Sequence, residues 1–296
     1  MKNLKLLRIS PHVVWTAPEE STDRPILGGV VGRNATLMVE GGASVSHAAG
    51  FLAALSSPGI PLPKYMAITH WHWDHVFGAA YLDLPIFAHV DTARKIGKMA
   101  ELDWRDEALD RRVAAGLEIE FCQVHIKAEI PNEERASLKL QVPDITFKDQ
   151  VCIDLGGVTC QIMHVGGDHS PDSSIVYIPE DKVAFIGDCI YEDIYASPSR
   201  YTTGSLFPLL DQLLGLEADF YLDAHNPEPF SLAAMIKQAA LLKTIGRRVD
   251  MTGSNRQIIL SELRKELNEN LVNEHLEEID AFIAGVEFNN KFLTHQ

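Results

Sequence analysis

The chain has 296 residues, of which 41 are acidic and 26 basic, for a formal charge of -15. That length suits one large α/β domain, or one domain with an appendage, and buries a large core. The acidic balance argues against nucleic acid as the main partner, since phosphate binding needs clustered Lys and Arg. No apolar run reaches the about 18 residues that a membrane span requires.

In chain order, short strands are expected near residues 12–16, 26–31 and 35–40, the last ending at Glu40-Gly41-Gly42. A helix over about 45–56 is stopped by Ser56-Ser57-Pro58-Gly59. A strand over 65–69 follows, and residues 90–118 read as helical, with Trp104, Leu109, Val113 and Leu117 tracing an apolar stripe. Strands return near 145–148, 151–155, 158–164, 174–178 and 183–187, with Gly156-Gly157 as a hairpin turn, and again at Phe220-Tyr221-Leu222. From Ser231 onward the chain reads helical. Leu260, Leu263, Leu267 and Leu271 repeat at three to four residues, and Leu276, Ile279, Phe282 and Ile283 continue the stripe after a break. There is no internal repeat and no low-complexity segment. Sheets early and late with flanking helices suit two packed sheets covered by helices, an α/β class.

The densest chemistry lies in His70-Trp71-His72-Trp73-Asp74-His75, directly after the apolar run Tyr65-Met66-Ala67-Ile68. On an extended approach His70 and His72 share a face, because side chains two apart point the same way. Asp74 and His75 then fall past the strand end, where a turn can direct them to a second metal. Imidazole nitrogen and carboxylate oxygen suit zinc, with iron or manganese as alternatives. More ligands must come from elsewhere, since catalytic zinc takes about three protein groups and keeps a position open.

The pattern His-x-His-x-Asp-His resembles the signature of the metallo-β-lactamase superfamily, and the later segments resemble its remaining motifs in order. His169 sits in Gly166-Gly167-Asp168-His169-Ser170-Pro171, Asp188 ends the strand Val183-Ala184-Phe185-Ile186-Gly187, and His225 lies in Asp223-Ala224-His225-Asn226-Pro227. The steps from His75 to His169 to Asp188 to His225 are 94, 19 and 37 residues. The resemblance implies an αββα sandwich with a helical insertion at about 90–144 and C-terminal helices. It implies His70, His72 and His169 on a first metal, Asp74, His75 and His225 on a second, and Asp188 bridging them. Two departures stand out. Glu40-Gly41-Gly42 replaces the family's Asp-x-Gly, a position of structural or ligand-supporting role, and the chain between His75 and His169 is longer than in compact members. The expected organisation is a metallo-β-lactamase-like domain over 1–230 and a C-terminal helical extension over 231–296 packed on it. The leucine stripe of that extension would pack on the same chain, with a homodimer as the alternative.

Other residues carry weaker signals. Cys122, Cys152, Cys160 and Cys189 form no C-x-x-C pair and read as buried free thiols. Cys189 would point away from Asp188 if the strand continues, so it is not taken as a ligand. His164 reads as a supporting or core residue behind His169. His12, His47, His89 and His125 read as surface or core histidines. Trp71 and Trp73 would pack beneath the loop or line the pocket, and Trp104 would be core. Tyr191 stands where acyl-homoserine lactonases of the superfamily carry a tyrosine near the substrate carbonyl, so it is a candidate catalytic donor to an oxyanion. Arg200 reads as a solvated loop arginine, with a clamp on a substrate carboxylate as the alternative.

The expected activity is a dinuclear zinc-dependent hydrolase attacking a small ester, thioester, lactone or lactam with a metal-bridging hydroxide, and Asp74 handling protons. The alternative is a mononuclear iron oxidoreductase resembling persulfide dioxygenases. Non-catalytic metal binding fits an intact ligand set least well. The expected partner is a small-molecule substrate, not nucleic acid or membrane, and substrate choice is assigned to the insertion and the C-terminal helices. Residues Met1 to Arg8 are charged and lack an apolar core, so a cytoplasmic location is expected in place of secretion.

Overall fold

Short segments rich in branched side chains pair into a first sheet in this computed structural model, which describes residues 4–267 and 271–293. Residues 1–3, 268–270 and 294–296, which belong to the expected N-terminal reading and to the ends and middle of the expected domains, lie outside the described residues. Strands β1 (Leu6–Arg8), β2 (Val13–Thr16), β3 (Leu27–Val31) and β4 (Thr36–Val39) form an antiparallel run. After α1 (Val45–Ser56) the chain adds β5 (Tyr65–Ala67) in parallel, then the one-turn helix α2 (Trp73–Val76) and β6 (Ile86–His89), again parallel. Four helices follow, α3 (Val90–Met99), α4 (Asp106–Ala114), α5 (Glu120–Glu129) and α6 (Asn132–Arg135), before β7 (Ile145–Phe147) closes the seven-stranded sheet.

The second sheet starts almost at once. Strands β8 (Gln150–Asp154), β9 (Thr159–His164), β10 (Ser174–Ile178) and β11 (Val183–Gly187) run antiparallel. Gly156 and Gly157, at φ 91° and 87°, make the β8–β9 turn that residues with a Cβ rarely adopt. After α7 (Thr203–Leu214), β12 (Phe220–Asp223) joins β11 in parallel, and β13 (Phe230–Ser231) completes six strands. The chain ends in α8 (Leu232–Thr252), α9 (Arg256–Leu267) and α10 (Asn273–Leu293).

The chain divides into two compact units. The first comprises Met1–Val165, Asp172–Asp188 and Ala218–Phe230, and it holds the two sheets, whose inner faces share one core. Val30, Leu37 and Val39 from one sheet meet Ile162, Val176 and Phe185 from the other. Phe185 is fully inside because Gly28 offers no side chain: a Cβ there would lie 2.3 Å from the Phe185 ring. Burying such a ring contributes about 1.5–3 kcal/mol, and it anchors β11 three residues before Asp188.

The second unit comprises Gly166–Pro171, Cys189–Glu217 and Ser231–Gln296. Ser231 caps α8 by accepting the Ala234 N–H at 3.2 Å, and Met235, Ala239, Leu242, Ile245 and Val249 form its buried stripe. Leu263, Ile279 and Phe282 of the expected leucine-rich stripe are buried, whereas Leu260, Leu267, Leu271, Leu276 and Ile283 are half-buried.

Two elements differ from expectation near the histidine cluster. The strand expected over 65–69 stops at Ala67, because Thr69 leaves the ladder: its N–H donates to Glu40 Oε2 at 3.3 Å and its carbonyl accepts from Ser174 N–H at 2.8 Å. The helix expected over 90–118 breaks after Met99, where the Trp104 indole turns inward and donates to the Met99 carbonyl at 3.2 Å.

Candidate metal centre

Three strand ends of the first unit aim side chains at one place. The turn after β5 carries His70 and His72 and leads into α2, which presents Asp74 and His75; β11 ends at Asp188, and β12 is followed by His225. Asp74 and His75 therefore sit on a helical turn, not on an irregular loop. Asp188 is delivered by Gly187 at φ 53°, where a Cβ would also fall 2.6 Å from Thr69 Oγ1. Only glycine tolerates both demands at low cost. Backbone groups fix His225: Asp223 Oδ1 accepts the N–H of His225 at 3.0 Å and of Asn226 at 3.1 Å.

The donor atoms converge. Asp74, His75, Asp188 and His225 each offer a ligand atom, all within 4.8 Å of one another, and His70, His72 and Asp188 meet the same limit. His75 Nε2 lies 3.0 Å from Asp74 Oδ2 and 3.3 Å from Asp188 Oδ2, and His225 Nε2 lies 3.3 Å and 3.4 Å from the same two atoms. His70 Nε2 is 3.8 Å from Asp188 Oδ2, so this one carboxylate faces both groups of histidines. Apart from the half-buried His225, all these residues are buried.

The far side of three of these rings is held as well. His75 Nδ1 faces Glu40 Oε2 at 3.3 Å, His225 Nδ1 faces Asp23 Oδ1 at 3.6 Å, and His70 Nδ1 lies 3.1 Å from Thr69 Oγ1. Glu40 reaches His75 from a left-handed backbone at φ 70°. In the second unit, His169 Nδ1 donates to the Glu192 carbonyl at 3.1 Å, which leaves Nε2 as the lone-pair nitrogen. The adjacent Asp168 accepts from the Thr202 N–H at 2.8 Å and hydroxyl at 2.7 Å, tying this segment to the start of α7. Tyr191 belongs to the same unit, with its ring centroid 6.1 Å from that of His169.

The electrostatics fit a cation. Burial alone would lower His75 and His225, yet Asp74, Asp188 and Glu40 raise His75, and Asp188 and Asp74 raise His225, well above the usual histidine range. Burial raises Asp74, but His75 and His225 outweigh it and hold the carboxyl well below its usual range. Burial, with the negative charge of Asp74 behind it, pushes Asp23 up to about 7. The imidazoles are drawn toward protonation by a surplus of buried negative charge, and the Asp23 carboxyl is drawn toward neutrality by burial first and by that charge second. A divalent ion, bound by deprotonated imidazole and carboxylate, would neutralise that surplus.

The remaining candidates fall elsewhere. His164 stacks on His89 at 4.0 Å and, like Cys189, is in neither donor group found among the described residues. Cys189 is buried with Cys122 and Cys160, but Cys152 is exposed on β8, contrary to the expectation for all four. Arg200 is not a solvated loop arginine: it pairs with Asp193 at 2.9 Å and lies 3.7 Å over the Phe288 ring. Lys95 covers the Trp71 ring at 4.8 Å, and Trp73 packs against Phe77 at 5.8 Å. Trp104 is core, 4.7 Å from Phe77. His12 pairs with Asp181 at 2.8 Å, His47 is buried, and His125 lies beside Phe121. Sequence reading missed Asp23 and Thr69 as partners of the ligand rings. Asp23 acts on His225 across a long chain separation, and Thr69, although it adjoins His70, is of a residue type that carries no ligand signal.

Two stacked sheets with a histidine–aspartate cluster at their strand ends define a metallohydrolase-type scaffold. The family model of the metallo-beta-lactamase superfamily matches residues 23–235, and the chain belongs to that superfamily. The metallo-beta-lactamase type 2 of Bacteroides fragilis is 33% identical over 58 residues, 20% of this chain, so the chain spans only 23% of that relative's length. Among solved structures, a metallo-beta-lactamase from Pontibacter korlensis superposes with a TM-score of 0.56 at 18% identity, covering 81% of this chain and 99% of that one. The DIM-1 metallo-beta-lactamase gives 0.56 at 13%, covering 82% and 98%. At such identities the likeness is one of fold, and the αββα class with inserted and C-terminal helices is borne out. The chain thus has a hydrolase-like fold of this superfamily and a buried cluster that could bind metal.

Proposed function

We propose that this protein is a dinuclear zinc hydrolase of a small ester, thioester, lactone or lactam. The observation that carries the reading is the complete second donor group, Asp74, His75, Asp188 and His225, beside His70 and His72. A mononuclear iron oxidoreductase would need only the first group, so the second favours the hydrolase. His70, His72 and His169 would hold one ion, Asp74, His75 and His225 the other, and Asp188 both. Zinc ions held by these residues would lower the pKa of a bound water to about 7 and polarise a substrate carbonyl.

The chain's own groups supply the rest. Asp74 would accept the proton of the attacking water at Oδ2 and return it to the leaving group. Glu40 and Asp23 hold the rings of His75 and His225 so that Nε2 points inward. We assign Tyr191 as the hydroxyl donor to the developing oxyanion. The acidic surface and the buried site favour a small-molecule substrate over nucleic acid, and we retain the cytoplasm as the compartment. A homodimer remains the alternative use of the C-terminal helices. No described helix is long and apolar enough to cross a membrane.

Metal content per chain, measured on protein purified without added metal, tests this reading. Close to two zinc ions, with turnover of a lactone, thioester or β-lactam in a substrate panel, is the expected result. Close to one iron with little zinc would overturn it. Asp188→Ala is expected to lose both metal and activity, the latter by about 10²-fold or more. If that variant keeps two ions, the bridging assignment is wrong.

A further inference from the structure

The inserted helices reach the segments behind the second donor group through a buried carboxylate. Glu129, the last residue of α5, has a side chain 1% exposed. Arg24 Nε reaches both of its oxygens at 2.9 Å, and Arg24 Nη2 lies 2.8 Å from Oε1. Arg24 also closes a six-residue loop, since its N–H donates to the Glu19 carbonyl and accepts from the Glu19 N–H at its own carbonyl, each at 3.0 Å. Inside that clamp a 3-10 turn over Glu20–Thr22 throws Asp23 into the left-handed region at φ 54°. That conformation aims the Asp23 carboxylate at His225 Nδ1. A second arm leaves the same Glu129: the Ser44 hydroxyl donates to Oε1 while capping α1 through the His47 N–H. Ser44 follows Glu40-Gly41-Gly42, the segment whose Glu40 backs His75.

Each histidine of the second group therefore has a carboxylate behind it on a segment that Glu129 grips. We infer that the helical insertion sets the affinity of the second metal position, with Asp23 as the positioning residue of His225 and Arg24–Glu129 as the brace that holds Asp23. This rests on the two-ion reading. Partners behind a ligating histidine fix its ring and tautomer, and their loss typically weakens metal binding about 10–100-fold. Asp23→Asn keeps the size and the left-handed tolerance of the residue while removing its charge. Glu129→Gln removes the charged end of the brace.

The experiment is a stepwise zinc and cobalt(II) titration of the full chain after chelator treatment, following cobalt absorbance and competition with a chromophoric chelator. The unmodified protein is expected to take two ions. Asp23→Asn is expected to bind the second ion about tenfold or more weakly with the first unchanged, and Glu129→Gln to shift the second ion in the same direction by less. Unchanged second-ion affinity in Asp23→Asn overturns the inference, as does an equal weakening of both ions, which a merely structural role would give. If Glu129→Gln fails to fold, Arg24→Lys tests the brace, and wild-type affinities in that variant remove the insertion's part. A single ion in the unmodified protein would instead overturn the two-ion reading itself.

Discussion

At the residue scale the site is a contest between burial and charge, and His47 shows the same contest without a metal. Buried in α1 beside the site, it accepts the Ala43 N–H at 3.3 Å on Nδ1. Burial, and after it the charge of Arg24, pushes its pKa down to about 3. The folded chain refuses a proton that the unfolded chain takes near 6.5, so the stability present above pH 6.5 is lost as pH falls toward 3. The slope is at most about 1.4 kcal/mol per pH unit. Urea unfolding of chelator-treated protein at pH 7.5 and pH 5 is expected to show His47→Gln losing about 2 kcal/mol less than the unmodified chain. Parallel losses in the two proteins would mean that His47 is not held neutral. The histidines of the candidate metal cluster respond in the opposite sense: burial lowers them too, but the surrounding carboxylates together outweigh it.

At the element scale the insertion acts as a buttress. Trp104 packs on Phe77 and Phe77 on Trp73, which lies in sequence between the candidate ligands His72 and Asp74. Trp104→Ala is expected to cost about 3–5 kcal/mol in stability and to leave KM within about twofold. A raised KM with unchanged stability would put Trp104 at the substrate instead. The residues of the cluster were legible in the sequence because histidines and aspartates at strand ends are dense and ordered, and α1, β10 and β11 because they have clear periodicity between clear stops. Other elements gave no such signal. Helix α7 carries Pro208 inside it and Gly204 in its first turn, which read as breakers, yet Leu206, Leu209, Leu210 and Leu213 bury one face. Helix α5 exposes Phe121 and Val124, so it shows no clean stripe, and its partner Arg24 is 105 residues away. Strand β6 is only four residues, too short for alternation to show, and is completed by pairing with β5 and β7. What the sequence withheld was long-range pairing, the part of folding that no local window contains.

For the whole molecule, the candidate ligands come from the ends of β5, β11 and β12, so an ion held by them would favour the folded chain, which alone assembles the full set. Chelator treatment is therefore expected to lower stability: an ion present at about a thousandfold over its Kd contributes about 4 kcal/mol, or about 7 °C in Tm for a chain of this size. A Tm unmoved by chelator, in protein shown to have lost its metal, would mean that the cluster folds without help from an ion.

Asp188 stands at the end of one sheet and faces histidines that leave the other, so an ion gripping both works as a rivet through the sandwich. A rivet of this kind ties segments far apart in the chain, and the unriveted molecule opens more often to degradation. On the two-ion reading, the amount of this protein that a cell keeps would then follow its zinc supply, and scarcity would remove idle copies before they accumulate.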